Sequence, residues 1–218
     1  MGINVTSFGN TYGSGSKTYG GSFPAWRSVN PGETSGGILS AVPAVGTLIP
    51  AGTLASLDQV GGTATIVKSW KVAAAATNTA TSVKVKLASI YTLKPVVGDF
   101  VMIAPSSISG TGQGAEITAV AIDGSDASGL TYTLTLAATI GTALTTSTIL
   151  IQANGATATA TVLAAPTGLS KTDIYIQEGI TAASVDVIFD GVIFGDRVQP
   201  VPDCVKAILP QIKFEKGI

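Results

Sequence analysis

The chain has 218 residues, a formal net charge of −1, 11% charged residues, no histidine and one cysteine. Histidine is the usual acid, base and metal ligand near neutral pH, and Cys204 alone can form no intrachain disulfide. The composition therefore argues for no catalytic activity, no bound metal and no cofactor. No run of Lys or Arg offers a nucleic-acid footprint.

The N-terminal residues 1–46 read as an extended arm. They carry Gly2, Gly9, Gly13, Gly15, Gly20, Gly21, Gly32, Gly36, Gly37 and Gly46, which leave little room for a stable element. A plain linker would be Ser, Gly and charge, yet Phe8, Tyr12, Tyr19, Phe23 and Trp26 lie in the first 26 residues. Aromatics spaced by Gly and Ser suit an extended segment that docks side chains on a partner, or one that folds back on its own domain. The start Met1-Gly2-Ile3-Asn4-Val5-Thr6 fits loose myristoylation and glycosylation patterns, both short and frequent by chance. No basic region followed by an apolar one marks a secretory signal, so the chain is expected to be made and used without the general secretory route.

Further along, Leu48-Ile49-Pro50-Ala51-Gly52-Thr53-Leu54 reads as strand, turn and strand, and 63–68 alternates as another strand. After Trp70 the small, polar tract 73–81 reads as a junction. From Ser82 to Ala153 the pattern predicts a separate small β-barrel. Its strands are Val83, Val85 and Leu87 alternating with Lys84 and Lys86, then a turn feeding a buried strand over 93–103, and 115–123, 130–137 and 148–152, with turn signals between them. The stretch between Asp126 and Lys171 has no charge. Thr133, Thr135, Thr139, Gly141, Thr142, Thr145 and Thr146 interrupt it, which is a strand texture rather than a membrane helix. A second small-residue tract, 154–161, leads out of the barrel. Strands follow over 173–177 and 184–189. A two-turn helix over 202–209 with Val205, Ile208 and Leu209 on its buried face comes next, and a closing strand carries Ile212 and Phe214.

Carboxylates are the remaining catalytic candidates. Asp186 and Asp190, four apart on one expected strand face, with Asp196 after a turn, could in principle form a glycosidase pair. The solvated face and turns of a hairpin give the same pattern and are favoured. Asp123-Gly124-Ser125-Asp126 lacks the acidic spacing and closing Glu of a calcium loop and reads as a hairpin turn. Gly110-Thr111-Gly112-Gln113-Gly114 lacks the helix and Lys of a phosphate loop. Cys204 reads as a small buried hydrophobe.

The arm, the 48–54 turn, Val185-Asp186-Val187-Ile188-Phe189-Asp190-Gly191-Val192 and the helix ending in Ile208-Leu209-Pro210-Gln211-Ile212-Lys213-Phe214 together resemble tailed-bacteriophage head decoration proteins of the lambda type, and also phage head fibre proteins. The likeness covers about residues 1–70 and 156–218. With the period-two alternation of nearly every apolar run, it implies an all-β fold with one short C-terminal helix: a decoration-type core (47–71 and 155–218) and an arm (1–46), while 72–154 departs from the compact family pattern and reads as an inserted barrel. It also implies a homotrimer on the outer capsid surface of a virion, made in the host cytoplasm. The arm would bind the major capsid protein through Val5, Phe8, Tyr12, Tyr19, Phe23, Trp26 and Arg27. Neither nucleic acid nor membrane is an expected partner, and the inserted barrel offers a surface for glycan or host contact. Two rivals stand beside this reading. One is an extracellular β-rich adhesin or carbohydrate-binding module, the other a glycoside hydrolase or lyase.

Overall fold

A computed structural model describes residues 25–217 except 31, 33, 90 and 91. In chain order the strands are β1 (Trp26–Val29), β2 (Thr34–Leu39), β3 (Leu48–Ile49), β4 (Leu54–Asp58), β5 (Thr63–Val67), β6 (Ser69–Val72), β7 (Ser82–Lys86) and β8 (Phe100–Ile103). They continue as β9 (Ala115–Ile122), β10 (Thr131–Leu136), β11 (Ile149–Gln152), β12 (Gly168–Ser170), β13 (Ile174–Tyr175), β14 (Ser184–Ile188) and β15 (Gly191–Phe194). Helix α1 (Asp203–Lys206) and β16 (Ile212–Glu215) close the chain. The described fold is all-β with one short helix.

Two closed barrels organise these strands. A six-stranded one runs in the order β10-β7-β6-β11-β8-β9, and a five-stranded one in the order β12-β14-β2-β5-β4. Beside them β1, β15 and β16 form a small sheet, and β3 pairs with β13. Alternation explains the first barrel: Val83 and Val85 of β7 and Tyr132, Leu134 and Leu136 of β10 fill its interior around Trp70. Lys84, Thr133 and Thr135 fall on the alternate, outer face of the same strands. The second barrel encloses Leu39, Ala55, Leu57, Ala64, Val185 and Val187.

A third core lies between the barrels. On β8 and β11 the alternate residues face opposite ways, and both ways are buried: Val101 and Leu150 face the six-stranded interior, Met102 and Ile151 the seam. From the other side Leu54, Val67 and Leu169 enter the same seam, with Ile193, Val198, Val205 and Leu209. Strands buried on both faces read as continuous apolar runs, which is why 100–103 and 149–151 lack polar alternation. Gly52, at φ +82°, presses its backbone into this seam; a Cβ there would collide with Val198 and Ile193.

Polar groups stitch the seam. The Lys68 ammonium donates to Asp99 at 2.7 Å, with both side chains mostly buried. Gln152 Nε2 donates to the same carboxylate at 3.1 Å, and its Oε1 accepts from the Lys68 backbone N–H at 3.2 Å. Gln199 Nε2 donates to the Val67 carbonyl at 2.8 Å, and Ser69 Oγ to the Pro200 carbonyl at 2.6 Å.

Several sequence expectations are corrected by these positions. Residues 26–29 and 34–39, assigned to the arm, are strands of the folded body. The glycines of β2 serve close packing rather than flexibility: a Cβ on Gly37 would meet Leu57 and come within 3.1 Å of the Thr63 carbonyl carbon. The tract 73–81 connects β6 to β7 inside the six-stranded barrel, so the chain passes between barrels at Lys68, earlier than the expected boundary. The helix is a single turn, because Pro210 follows too closely for a second; Val205 and Leu209 are buried while Ile208 is exposed.

Candidate functional site

Of the seven expected interface residues, Val5, Phe8, Tyr12, Tyr19 and Phe23 lie outside the described residues. The structure places Trp26 and Arg27 on β1, in the body. Trp26 pairs with Ile193 of β15, its ring lies against Gly191, and its Nε1 donates to the Ser170 carbonyl at 3.0 Å. An indole with its one donor satisfied and its face packed at home is a structural anchor, not an arm side chain waiting for a partner. Arg27 forms an exposed ion pair with Glu215 across the small sheet. Ala25, Trp26 and Arg27 are thus fixed to the small sheet, Ala25 through its carbonyl to the Phe194 N–H, Trp26 beside β15 and Arg27 to Glu215 of β16.

The carboxylates do not assemble into a catalytic pair. Asp186 is on β14 opposite Gly36, whereas Asp190 lies beyond that strand's end, in the turn to β15, where it accepts from Asn30 Nδ2 at 3.0 Å. The expected shared face is therefore lost. Asp196 accepts from the Gly217 backbone N–H at 2.8 Å, and Asp173 from the Ala51 N–H at 2.7 Å. Asp58 caps its own hairpin through the Val60 and Gly61 N–H groups, both at 3.0 Å.

In the β9–β10 connection, Asp123 accepts from Lys84 Nζ at 2.7 Å and from Ser125, which hold its carboxyl down to about 2. Asp126 is held well below the usual carboxylate range by Ser128 and Thr131. Both oxygen sets are spent on local donors, the chemistry of a braced turn. Among the described residues no group of three or more His, Cys, Asp or Glu is placed to hold a metal ion. Cys204 is buried, and burial pushes its thiol up, away from reactivity.

One small crevice, with room for about one water, opens between Pro50–Thr53, Thr92–Leu93 and Arg197–Gln199. Gln199 lines it, and its Oε1 is buried without a partner among the described residues. An ordered water would satisfy that oxygen; the space is too small for a substrate. Among the described residues no helix is long and apolar enough to cross a membrane.

No family model, no curated protein and no solved structure matches the chain.

Sequence reasoning missed that Trp26 belongs to the body. Pairing between opposite ends of a chain, here Trp26 with Ile193, leaves no local mark.

Proposed function

We propose that this chain is a structural virion protein that decorates and stabilises the exterior of a tailed-phage capsid, gripping the major capsid protein through its N-terminal segment. The sequence resemblance supports this reading, and one observation carries it further. Among the described residues every aromatic side chain of the body except Tyr175 is at least partly buried, while the Gly-spaced aromatics Phe8, Tyr12, Tyr19 and Phe23 precede the first described strand.

An extended segment must recover the entropy lost on ordering, about 1–2 kcal/mol per residue, and aromatic burial alone is too small to do so. Adding a strand to a sheet edge of the capsid protein supplies the missing hydrogen bonds. In a homotrimer, three such segments act together and raise the effective concentration of each. The six-stranded barrel then stands outward, its Thr-rich outer face available to glycans or host surfaces. The chain works on the outer surface of the virion after synthesis in the host cytoplasm, without nucleic acid or membrane as partner and without catalysis.

The adhesin reading draws no comparable support. A sugar platform needs clustered exposed aromatics, and among the described residues Tyr175 is the single exposed one. Cosedimentation of the purified chain with undecorated capsids, followed by imaging, tests the proposal. Bound density at symmetric positions on the outer surface is expected. A chain that stays in the supernatant yet is retained on a glycan array would overturn it in favour of the adhesin.

A further inference from the structure

At the seam one polar cluster joins three parts of the chain. Lys68 lies between β5 and β6, Asp99 immediately before β8, and Gln152 at the end of β11. Lys68 Nζ donates to both Asp99 oxygens, at 2.9 Å to Oδ1 and 2.7 Å to Oδ2. Gln152 Nε2 donates to the same Oδ1 at 3.1 Å. The carboxylate is fixed further by the Val96 N–H, which donates to Oδ2 at 3.0 Å. At the other end of the Gln152 carboxamide, Oε1 accepts from the Lys68 backbone N–H at 3.2 Å.

The sharing of Oδ1 is the informative feature. One carboxylate oxygen touches both an amine and an amide nitrogen, and the oxygen of that amide already meets an N–H donor. These are the parts of an acyl-transfer site: a nucleophile, a carboxyl between nucleophile and leaving group, and an oxyanion donor. Access of water is restricted, since the Lys68 and Asp99 side chains are only 17% and 12% exposed. Val67, Ile151 and Ala153, the sequence neighbours of Lys68 and Gln152, belong to the seam core, and Phe100, next to Asp99, packs against it.

We propose that this cluster joins the Lys68 and Gln152 side chains by an amide bond, with Asp99 as the catalytic acid–base. Nζ and Nε2 share Oδ1, which sets them about 5 Å apart, and a turn of the last Lys68 bonds brings Nζ to the roughly 3–3.5 Å that attack on Cδ requires. Asp99 takes one proton from the Lys68 ammonium, and the freed electron pair attacks Cδ to form the Nζ–Cδ bond. Charge gathering on Oε1 is met by the Lys68 backbone N–H. Asp99 passes its proton to Nε2, the Cδ–Nε2 bond breaks, and ammonia leaves. The second Nζ proton returns through Asp99 to the ammonia, which departs as ammonium and leaves Asp99 ionised beside a secondary amide. No oxidant, metal or further reactant enters.

The bond fastens the residues at which the chain enters and leaves the six-stranded barrel, 69–152. A covalent link there constrains the unfolded chain as a disulfide would, in a protein whose lone Cys204 can form none within itself. The ion pair is the resting arrangement, and its ammonium has no free electron pair. Bridging is therefore slow, and freshly refolded chain starts unbridged. The proposal stands apart from the capsid reading.

Intact-mass spectrometry of the full chain, refolded and held at neutral pH over several days, reads the reaction. The folded chain should lose the mass of one ammonia, and proteolysis should release one branched peptide holding both Lys68 and Gln152. Cyclisation at Asn154-Gly155 also expels ammonia, and the branched peptide separates the two events. Chain held in denaturing urea for the same time should give no branched peptide, because its three groups are apart. Asp99→Asn, with its fold checked by circular dichroism, should join Lys68 to Gln152 at least about a hundredfold more slowly, the size of a general acid–base effect. The unmodified chain decides the bond by itself, whatever the variant's fold. Four results would overturn the proposal: a folded chain that keeps its full mass, ammonia loss without the branched peptide, loss of water with Lys68 joined to Asp99, or a folded Asp99→Asn that bridges as fast as the unmodified chain.

Discussion

The two barrels are closed by opposite strategies. The six-stranded barrel is one continuous stretch, 69–152, in which half of the neighbouring pairs are consecutive strands; the five-stranded barrel needs β2, β4 and β5 from the first third of the chain and β12 and β14 from the last. It even uses a parallel pairing, β2 with β5, between strands that are not successive. Closing long loops costs chain entropy before any contact rewards it. Folding of the six-stranded barrel shortens the loop between β5 and β12 that the five-stranded barrel must close, and so lowers the entropic cost of closing it. What looks like an insertion in the sequence is, energetically, the scaffold on which the discontinuous barrel is completed.

The largest test of this contrast is excision. If 69–152 were a detachable accessory, replacing it with a short Gly-Ser turn would leave a folded remainder. The shared seam predicts the reverse: Leu54, Val67, Leu169 and Val198 lose the partners that Met102 and Ile151 supply. At about 1.5–3 kcal/mol for each of these four apolar side chains exposed, the loss of about 6–12 kcal/mol is as large as the whole stability of an ordinary domain, about 5–15 kcal/mol. Circular dichroism and size exclusion of the deletant should report an unfolded or aggregated chain.

A smaller perturbation sharpens the same comparison. Lys68→Met leaves Asp99 mostly buried beside Gln152 without its cation, and should cost about 3 kcal/mol in urea unfolding. Lys68→Met/Asp99→Asn removes the orphaned charge and should recover more than half of that. Trp26 beside the seam and Trp70 within the six-stranded barrel report on separate regions. Within each single-tryptophan variant, fluorescence and far-ultraviolet circular dichroism should give one urea midpoint; a fluorescence midpoint separated from the dichroism midpoint of the same variant would show that the seam does not couple the barrels.

The smallest effect is local to the braced turn. Folded-state carboxyls held below their unfolded values contribute stability that is complete above the ordinary carboxylate pKa and lost as pH falls through the folded value. For Asp123 that window runs from about 4 down to about 2. Amide exchange in the 123–131 connection should quicken across it, while amides of β12 and β14 stay protected. Uniform protection of the turn down to pH 2 would contradict the bracing.

Legibility followed pairing distance. The strands of the six-stranded barrel after β6 were readable because hairpins place their turn residues and alternation side by side, as at Gly124 and Gly129 between β9 and β10. β2 was not, because Gly36 and Gly37 look flexible until Leu57, Ala64 and Asp186 arrive from elsewhere to pack on them. β6 was hidden for a related reason: three of its four residues, Ser69, Trp70 and Val72, are buried, so it lacks a wet face to mark the alternation. Of the expected interface, Trp26 and Arg27 lie in the body and not in the arm, through the same kind of long-range pairing, with Ile193 and Glu215.

The correction at Trp26 also fixes where to cut in the most direct test of the attachment proposal. Removing residues 1–24 leaves β1, the Trp26–Ser170 bond and the Arg27–Glu215 pair intact, so the truncated chain should keep the full protein's unfolding midpoint and oligomeric mass. In cosedimentation with undecorated capsids it should lose binding by at least about a hundredfold, since trivalent attachment fails when every arm is removed. Truncated protein that is folded and still decorates capsids as well as the full chain would contradict the proposal and move attachment into the body.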